Sequence, residues 1–284
     1  MIKVVQFITE TDPYIINNGA QLNYLAKLTN ANGELTKGKF YKLGADIKLN
    51  EQVLTDSLTL NGTPANIWEP IGTQYDAGFQ GNFDGQNHTI SGVYVPSGSY
   101  VGLFGSINYG ATIHNVSLVD TYVEGTYPGG LVSSMAYNDS CWVRNCYVEA
   151  NVKGTSNYAG VLACYLYAPG CLDNCYTSGV ATCSCYPAGL VSYCNDNYSY
   201  ISNCFSAVKN ASAFGYVYRT FNIVNIYSDE DIGKSYSTKT DLCSKHTVEM
   251  HTTDFATLMG EPYEYVLGNY PYIPGLLKIG ENRG

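Results

Sequence analysis

Four short segments share one apolar signature at nearly constant spacing: Val101-Gly102-Leu103-Phe104, Gly129-Gly130-Leu131-Val132, Ala159-Gly160-Val161-Leu162 and Ala188-Gly189-Leu190-Val191. Their marker glycines, Gly102, Gly130, Gly160 and Gly189, step by 28, 30 and 29 residues. A second marker keeps the same register, since Asn115, Asn145, Asn174 and Asn203 step by 30, 29 and 29. Two markers in one register define a repeat, and a repeat that cannot bury its own apolar face must stack on its neighbours. Each copy holds two or three strand-length apolar patches separated by Gly, Asn, Pro or Ser, with no helix-length pattern between them. Copies of this kind wind in one direction with parallel strands, so a β-helix is the simplest solution. A propeller is the main rival, but its blades take about 40 to 50 residues and four strands each.

The markers have distinct physical tasks. Asn tolerates the left-handed backbone region, and its amide can bond to the Asn above and below, so Asn115, Asn145, Asn174 and Asn203 are expected to form a structural ladder at a turn. The recurring Gly allows a turn or a close approach at the same place on each coil. Ile113, Val116, Val143, Cys146, Leu172, Cys175, Ile201 and Cys204 are the expected inward residues. Cys146, Cys175 and Cys204 occupy a position held elsewhere by Val116 and Ile226, which is how a small core hydrophobe behaves. In a parallel stack with strands about 4.8 Å apart, their Cβ vectors do not converge as a disulfide requires. These three are therefore expected to be buried free thiols. Among the other cysteines, Cys141 and Cys171 are the most plausible bridge.

Immediately after the core cysteines stand Tyr147, Tyr176 and Phe205, with Tyr227 one coil later. Strand alternation points these rings outward, giving a row that either stabilises the sheet through cross-strand stacking or offers an exposed platform to a sugar or protein partner. They are the candidate ligand-binding residues.

At the ends the pattern changes. Residues 14 to 30 read as a helix capped by Asn17 or Asn18, with Leu22, Leu25, Ala26 and Leu28 on one face. A short helix from Thr253 through Met259 and an apolar strand near 270 to 277 are expected to close the other end. The predicted organisation is one continuous domain: residues 1–77 as cap and first strands, 78–231 as about six repeat coils, and 232–284 as a second cap. Such caps protect strand edges that would otherwise invite association.

The segments Trp68-Glu-Pro-Ile-Gly72, Phe79-Gln-Gly-Asn-Phe-Asp-Gly-Gln-Asn-His-Thr-Ile90, Tyr100-Val-Gly-Leu-Phe-Gly105 and Ala111-Thr-Ile-His-Asn-Val116 resemble bacterial proteins carrying the GLUG motif. Tyr41-Lys-Leu-Gly-Ala-Asp-Ile47 and Asn269-Tyr-Pro-Tyr-Ile273 extend the likeness over nearly the whole chain. These are large surface proteins, adhesin-like or joined to immunoglobulin A metallopeptidases. The resemblance implies a right-handed parallel β-helix on an exported, cell-anchored protein, serving as stalk, spacer or ligand-facing surface. Ten cysteines depart from the family's pattern and sit poorly with a strongly oxidising setting.

Catalytic signatures are absent from the sequence. The His-Glu-x-x-His helix of the associated peptidase, in which two histidines bind zinc and the glutamate activates water, does not occur. His88, His114, His246 and His251 read as surface residues, the sharper reading being a weak metal site of His246 and His251 with Glu249. Cys183-Ser184-Cys185 lacks zinc-site spacing. Asp84, Asp120, Asp139, Asp173 and Asp196 could serve a polysaccharide-cleaving enzyme, which needs clustered carboxylates, but Asp139, Asp173 and Asp196 share no common offset from the marker Asn. Asp84, in a Phe-Asp-Gly turn, is expected to cap backbone amides. No catalytic residue, metal or cofactor is assigned.

A net charge of −9 with 15 Lys and Arg argues against nucleic acid and anionic membranes, and no apolar run approaches the roughly 20 residues of a membrane span. Residues 1–10 lack a signal-peptide pattern, which suits either an intracellular protein or a segment of a longer exported parent, the second being favoured. The expectation is a non-catalytic extracellular adhesion or display module of a bacterial surface protein, binding glycan or a host-surface protein. The alternatives are a polysaccharide-degrading enzyme or phage depolymerase, and a structural spacer or filament subunit. Oligomeric state is left open.

Overall fold

The computed structural model describes residues 9–135, 139–167, 169–195, 197–219, 221–233 and 243–281. Its chain is a parallel β-solenoid of about seven turns, in which strand–connection–strand units wind right-handed by the usual chirality of such crossovers. The large sheet stacks Phe40–Leu43, Asn82–Asp84, Thr112–Gly125, Cys141–Gly154, Gly170–Thr182, Tyr200–Lys209 and Asn222–Asp229 in that order. Tyr14–Ile16 adds one rung before them and Cys243–Lys245 one after. A second sheet stacks Phe104–Ile107, Val132–Met135, Ala163–Leu166, Tyr186–Cys194 and Ser212–Val217.

Register follows the repeat residue by residue. Val116 pairs with Cys146 and Cys146 with Cys175, while Ile113, Val143, Leu172, Ile201 and Ile223 form the next column. All but Ile223 are buried in one continuous core that extends from Ile16 to Ile226. Ile113 and Val116 can both face inward although three residues apart because Asn115 bends the strand between them. Asn115, Asn145, Asn174, Asn203 and Asn225 adopt φ of 57°, 49°, 51°, 49° and 54°, the left-handed region that Asn enters at least cost.

The amide ladder is less continuous than the spacing predicts. Asn145 Nδ2 donates to Asn115 Oδ1 at 3.2 Å and Asn225 Nδ2 to Asn203 Oδ1 at 3.0 Å. Asn174 breaks the series: its amide turns to Asp173 Oδ2 at 3.3 Å, and its own carbonyl oxygen is buried without a partner. The adjacent carboxylate is a stronger acceptor than a neighbouring amide oxygen. Backbone conformation is thus the shared property of these asparagines, and the ladder is local.

None of the four marker glycines lies in the left-handed region, so close approach explains them. A Cβ on Gly130 would meet the Val161 carbonyl, one on Gly160 the Ala163 carbonyl, and one on Gly189 the Ser206 hydroxyl.

All ten cysteines are free. Cys146, Cys175 and Cys204 are fully buried in the core, and their sulfurs donate to the carbonyls of Arg144, Asp173 and Ser202 at 3.1, 3.3 and 3.0 Å. Burial pushes the thiols of Cys146 and Cys204 well above the ordinary range. Cys141 and Cys171 do not form the expected bridge, because register pairs Cys141 with Gly170 and Trp142 with Cys171. The one-residue offset sends the two thiols to opposite faces of the sheet, and only Cys141 joins the solenoid core.

The ends also differ from the sequence reading. The first helix, α1 (Gly19–Ala31), begins after Asn18, whose side chain accepts from Gln21 N at 3.0 Å. Tyr14–Ile16, expected as helix, is instead a strand pairing Tyr14 with Tyr41, since the first turn has an open edge that backbone pairing satisfies. Leu22, Leu25 and Ala26 are buried, whereas Leu28 is half-buried. At the other end come α2 (Thr247–Met250) and α3 (Thr253–Met259). The following segment forms an isolated bridge, Glu264 with Tyr272, in place of the expected strand. It runs back along the outer flank of the large sheet: Tyr263 Oη donates to Asn203 O at 2.8 Å, and Leu277 N to Ser117 Oγ at 3.0 Å. The C-terminal segment is therefore a lateral strap. Buried Asp229 fastens its start, accepting from Thr247 Oγ1 at 2.6 Å and from Tyr270 Oη.

Close packing at the marker glycines makes Gly160→Ala destabilising by about 1–3 kcal/mol through overpacking. Urea unfolding should show a lower midpoint at unchanged slope.

Candidate functional site

The predicted ligand row is where alternation puts it, outside the solenoid core, but the strap covers it. Tyr147, Tyr176, Phe205 and Tyr227 are 1%, 0%, 0% and 7% exposed. They pack with Met250, Phe255, Met259, Tyr263, Tyr270 and Ile273 in a second apolar cluster. Tyr147 stacks on Tyr176 at 4.8 Å and Tyr176 on Phe205 at 5.5 Å, while Phe255 meets Phe205 and Tyr227 edge-on. Their polar atoms are used internally: Tyr176 Oη donates to Leu277 O at 2.6 Å, and Tyr147 Oη shares a hydrogen bond with Ser178 at 2.8 Å. The row is an internal docking surface for the strap. An apolar ring row on an open sheet is costly to leave in water, and the apolar strap removes that cost.

A different aromatic surface is open. Along the second sheet, Tyr165, Tyr193 and Tyr216 are in register on successive turns. Each precedes by one a residue of the core or packed against it, Leu166, Cys194 and Val217, so alternation turns the rings outward. Beside them Tyr127 pairs with Tyr100 and Tyr158 with Tyr186. With Tyr75, Tyr167 and Tyr218, these ten tyrosines form one unbroken network of ring contacts. Stacked pairs (Tyr165–Tyr167, Tyr193–Tyr216) alternate with T-shaped ones (Tyr127–Tyr165, Tyr158–Tyr193), so the surface offers ring edges, ring faces and hydroxyls together. Exposure ranges from 6% at Tyr165 to 60% at Tyr218.

The face is electrically quiet. Desolvation raises the phenol pKa values of Tyr100, Tyr158, Tyr165 and Tyr193, and pushes that of Tyr167 up to about 12. The charged-state neighbours that add to these shifts are other tyrosines and the thiols of Cys164 and Cys194, with Arg219 acting at one edge. Such a surface can bind by ring contact and neutral hydrogen bonding. The sequence carried a signal for it: Tyr100, Tyr127, Tyr158 and Tyr186 stand two or three residues before the marker glycines. The variable offset obscures the column until register is known: Pro128 pairs with Val101 and Pro187 with Ala159, so Gly129 and Ala188, each one residue before a marker glycine, are the partners of Gly160.

The candidate carboxylates hold the backbone together. Asp84 accepts from Gln86 N and Asn115 Nδ2, both at 3.0 Å. Asp120 accepts from the amides of Val53 and Leu54 at 2.8 and 2.7 Å, and Asp173 from Ser202 Oγ at 2.6 Å. Asp139 is exposed, and Asp196 lies outside the described residues. His88 pairs with Asp46 at 2.9 Å, His114 with Asp84 at 3.5 Å, and His246 with Asp231 and Glu230, each at 2.9 Å. His251 lies edge-on to Tyr270 at 4.3 Å, and Glu249 accepts from His246 N at 2.8 Å. Among the described residues, no group of three or more His, Cys, Asp or Glu is arranged to hold a metal ion, and no helix is long and apolar enough to cross a membrane.

No protein-family model matches the chain. It is 29% identical over 143 residues to a "Putative Gly-rich membrane protein" of Evansella cellulosilytica, covering 50% of this chain and 15% of that protein. It is 30% identical over 158 residues to halomucin of Haloquadratum walsbyi, covering 54% of this chain and 2% of that protein. The chain thus spans a small fraction of the curated relatives it matches. Its fold is that of a crystal structure from Bacteroides ovatus named as a "putative immunoglobulin A1 protease", with TM-score 0.61, 17% identity, and coverage of 95% of this chain and 94% of that one.

Burial of these rings has two measurable consequences. Phe205→Ala, at full burial beneath the strap, should cost about 3–5 kcal/mol by chemical denaturation. Because burial raises the phenol pKa values, above pH 10 the unfolded chain releases protons that the folded chain keeps, so stability falls as pH rises from 10 through about 12. A melting series across that window should decline steadily, with ultraviolet phenolate titration lagging that of the unfolded chain.

Proposed function

We propose that this chain is a non-catalytic display and adhesion module within a larger surface protein, meeting its target through the tyrosine face of the second sheet. The observation that carries the reading is the continuous network of partly exposed tyrosines on a rigid, repeat-built support. Tyrosine supplies a large, stiff contact area at low side-chain entropy cost, and a parallel stack holds the rings in place before any partner arrives. Three of the five carboxylates considered for a polysaccharide-cleaving enzyme, Asp84, Asp120 and Asp173, are engaged by backbone amides and neighbouring side chains. The names of the relatives, a Gly-rich membrane protein and halomucin, and the resemblance to GLUG-motif surface proteins support an extracellular or cell-surface setting. The small share of each relative that the chain spans suits one module among several.

The test is binding of labelled module to a glycan array and to intact host cells. Tyr167→Ser with Tyr218→Ser alters rings that are 38% and 60% exposed, so the fold should persist. The expected result is a tenfold or greater loss of affinity, about 1.4 kcal/mol. Undiminished binding would remove the tyrosine face from the reading, and no binding to either target would favour a passive spacer.

A further inference from the structure

We propose that the tyrosine face takes an uncharged, extended polysaccharide laid along the solenoid axis, with about one pyranose ring per turn. The inference rests on that face being the contact surface, and it names the ligand class. Three observations carry it.

The first is direction and spacing. Tyr165, Tyr193 and Tyr216 rise along the axis with ring centroids 5.0 and 5.8 Å apart, and Tyr158 and Tyr186 run beside them at 5.6 Å. The underlying rise of one turn is about 4.8 Å, close to what one pyranose contributes to an extended glycan. A bound β-strand in the same orientation would present same-face side chains about every 6.6 Å and would drift out of step within a few turns.

The second is unused hydrogen-bonding capacity. The hydroxyls of Tyr158, Tyr165, Tyr167, Tyr186, Tyr193 and Tyr216 make no hydrogen bond within the described residues, whereas those beneath the strap, at Tyr147, Tyr176, Tyr263 and Tyr270, are bonded internally. The apolar stripe of an α-helix could match the spacing with its pitch of about 5.4 Å, but it would cover these hydroxyls without partners, at a desolvation cost. A polyhydroxylated ring supplies partners to the hydroxyls and C–H faces to the rings.

The third is charge. The face is lined by neutral phenols with one cation, Arg219, at its edge over Tyr218, and the chain carries a net charge of −9, which disfavours polyanions approaching it. An uncharged glycan meets neither obstacle.

The experiment uses the whole chain and cello-, xylo- and manno-oligosaccharides of two to six units, with polygalacturonate oligomers as the anionic comparison, read by titration calorimetry. In at least one neutral series, affinity should rise about threefold or more per added unit and level off near five units, one for each turn that carries a tyrosine from Tyr100 through Tyr127, Tyr158, Tyr186 and Tyr216. Tyr193→Phe keeps the ring and removes one central hydroxyl; it should weaken the longest ligand about two- to tenfold with an unchanged melting temperature. Tyr24→Ser, on α1 and 68% exposed, should change nothing. Affinity independent of length in every neutral series, or tighter binding of the anionic oligomers, overturns the inference. If no oligosaccharide binds while cell adhesion still depends on Tyr167 and Tyr218, the adhesion reading stands and this one falls. Loss of both would remove the two together.

Discussion

Everything in this molecule depends on parallel coils stacking in register. One turn of the chain buries too little to be stable, so Ile113, Val143, Leu172 and Ile201 acquire a dry environment only because each sits on the next. That requirement fixes the asparagines that bend the strand, excludes a Cβ at the marker glycines, and tolerates thiols where other turns use Val or Ile. The three core cysteines need no redox explanation: all are fully buried where other turns carry Val or Ile, stacking keeps their vectors parallel, and burial stabilises the protonated form of Cys146 and Cys204.

The same alternation that builds the core produces two outward aromatic surfaces with opposite fates. On the large sheet, the row from Tyr147 to Tyr227 lies under the C-terminal strap, with its polar atoms bonded within the protein. On the second sheet, the tyrosines pack against one another, and all but Tyr165 remain partly or largely exposed. The first surface strengthens the fold; the second is available to a partner. Asp229, buried at the junction between the last turn and the strap, ties the covering segment to the stack.

Much of this was legible from residue order alone. The 29-residue beat of Gly and Asn, the inward column through Cys146 and Cys175, and the helix at Thr253–Met259 are local or periodic signals, carried by φ preference and apolar spacing. Reading failed where an answer depended on contacts far apart in sequence. Tyr14–Ile16 became a strand because an edge some 27 residues away needed pairing. Asn174 left the amide ladder because Asp173 lies beside it, competing more strongly for its donor. Cys141 and Cys171 failed to bridge because a one-residue offset in pairing separates their faces.

The sequence by itself determined that the chain must stack, which residues face the core, and where each turn bends, because periodicity of apolar side chains and the backbone tolerance of Asn are properties of the chain itself. Only the tertiary structure decided which outward surface stays open. Alternation states that Tyr147 and Tyr165 both point away from the core, but it says nothing of what lies above them; the return of residues 263–277 along one flank buries the first and leaves the tyrosine face of the second sheet at the surface.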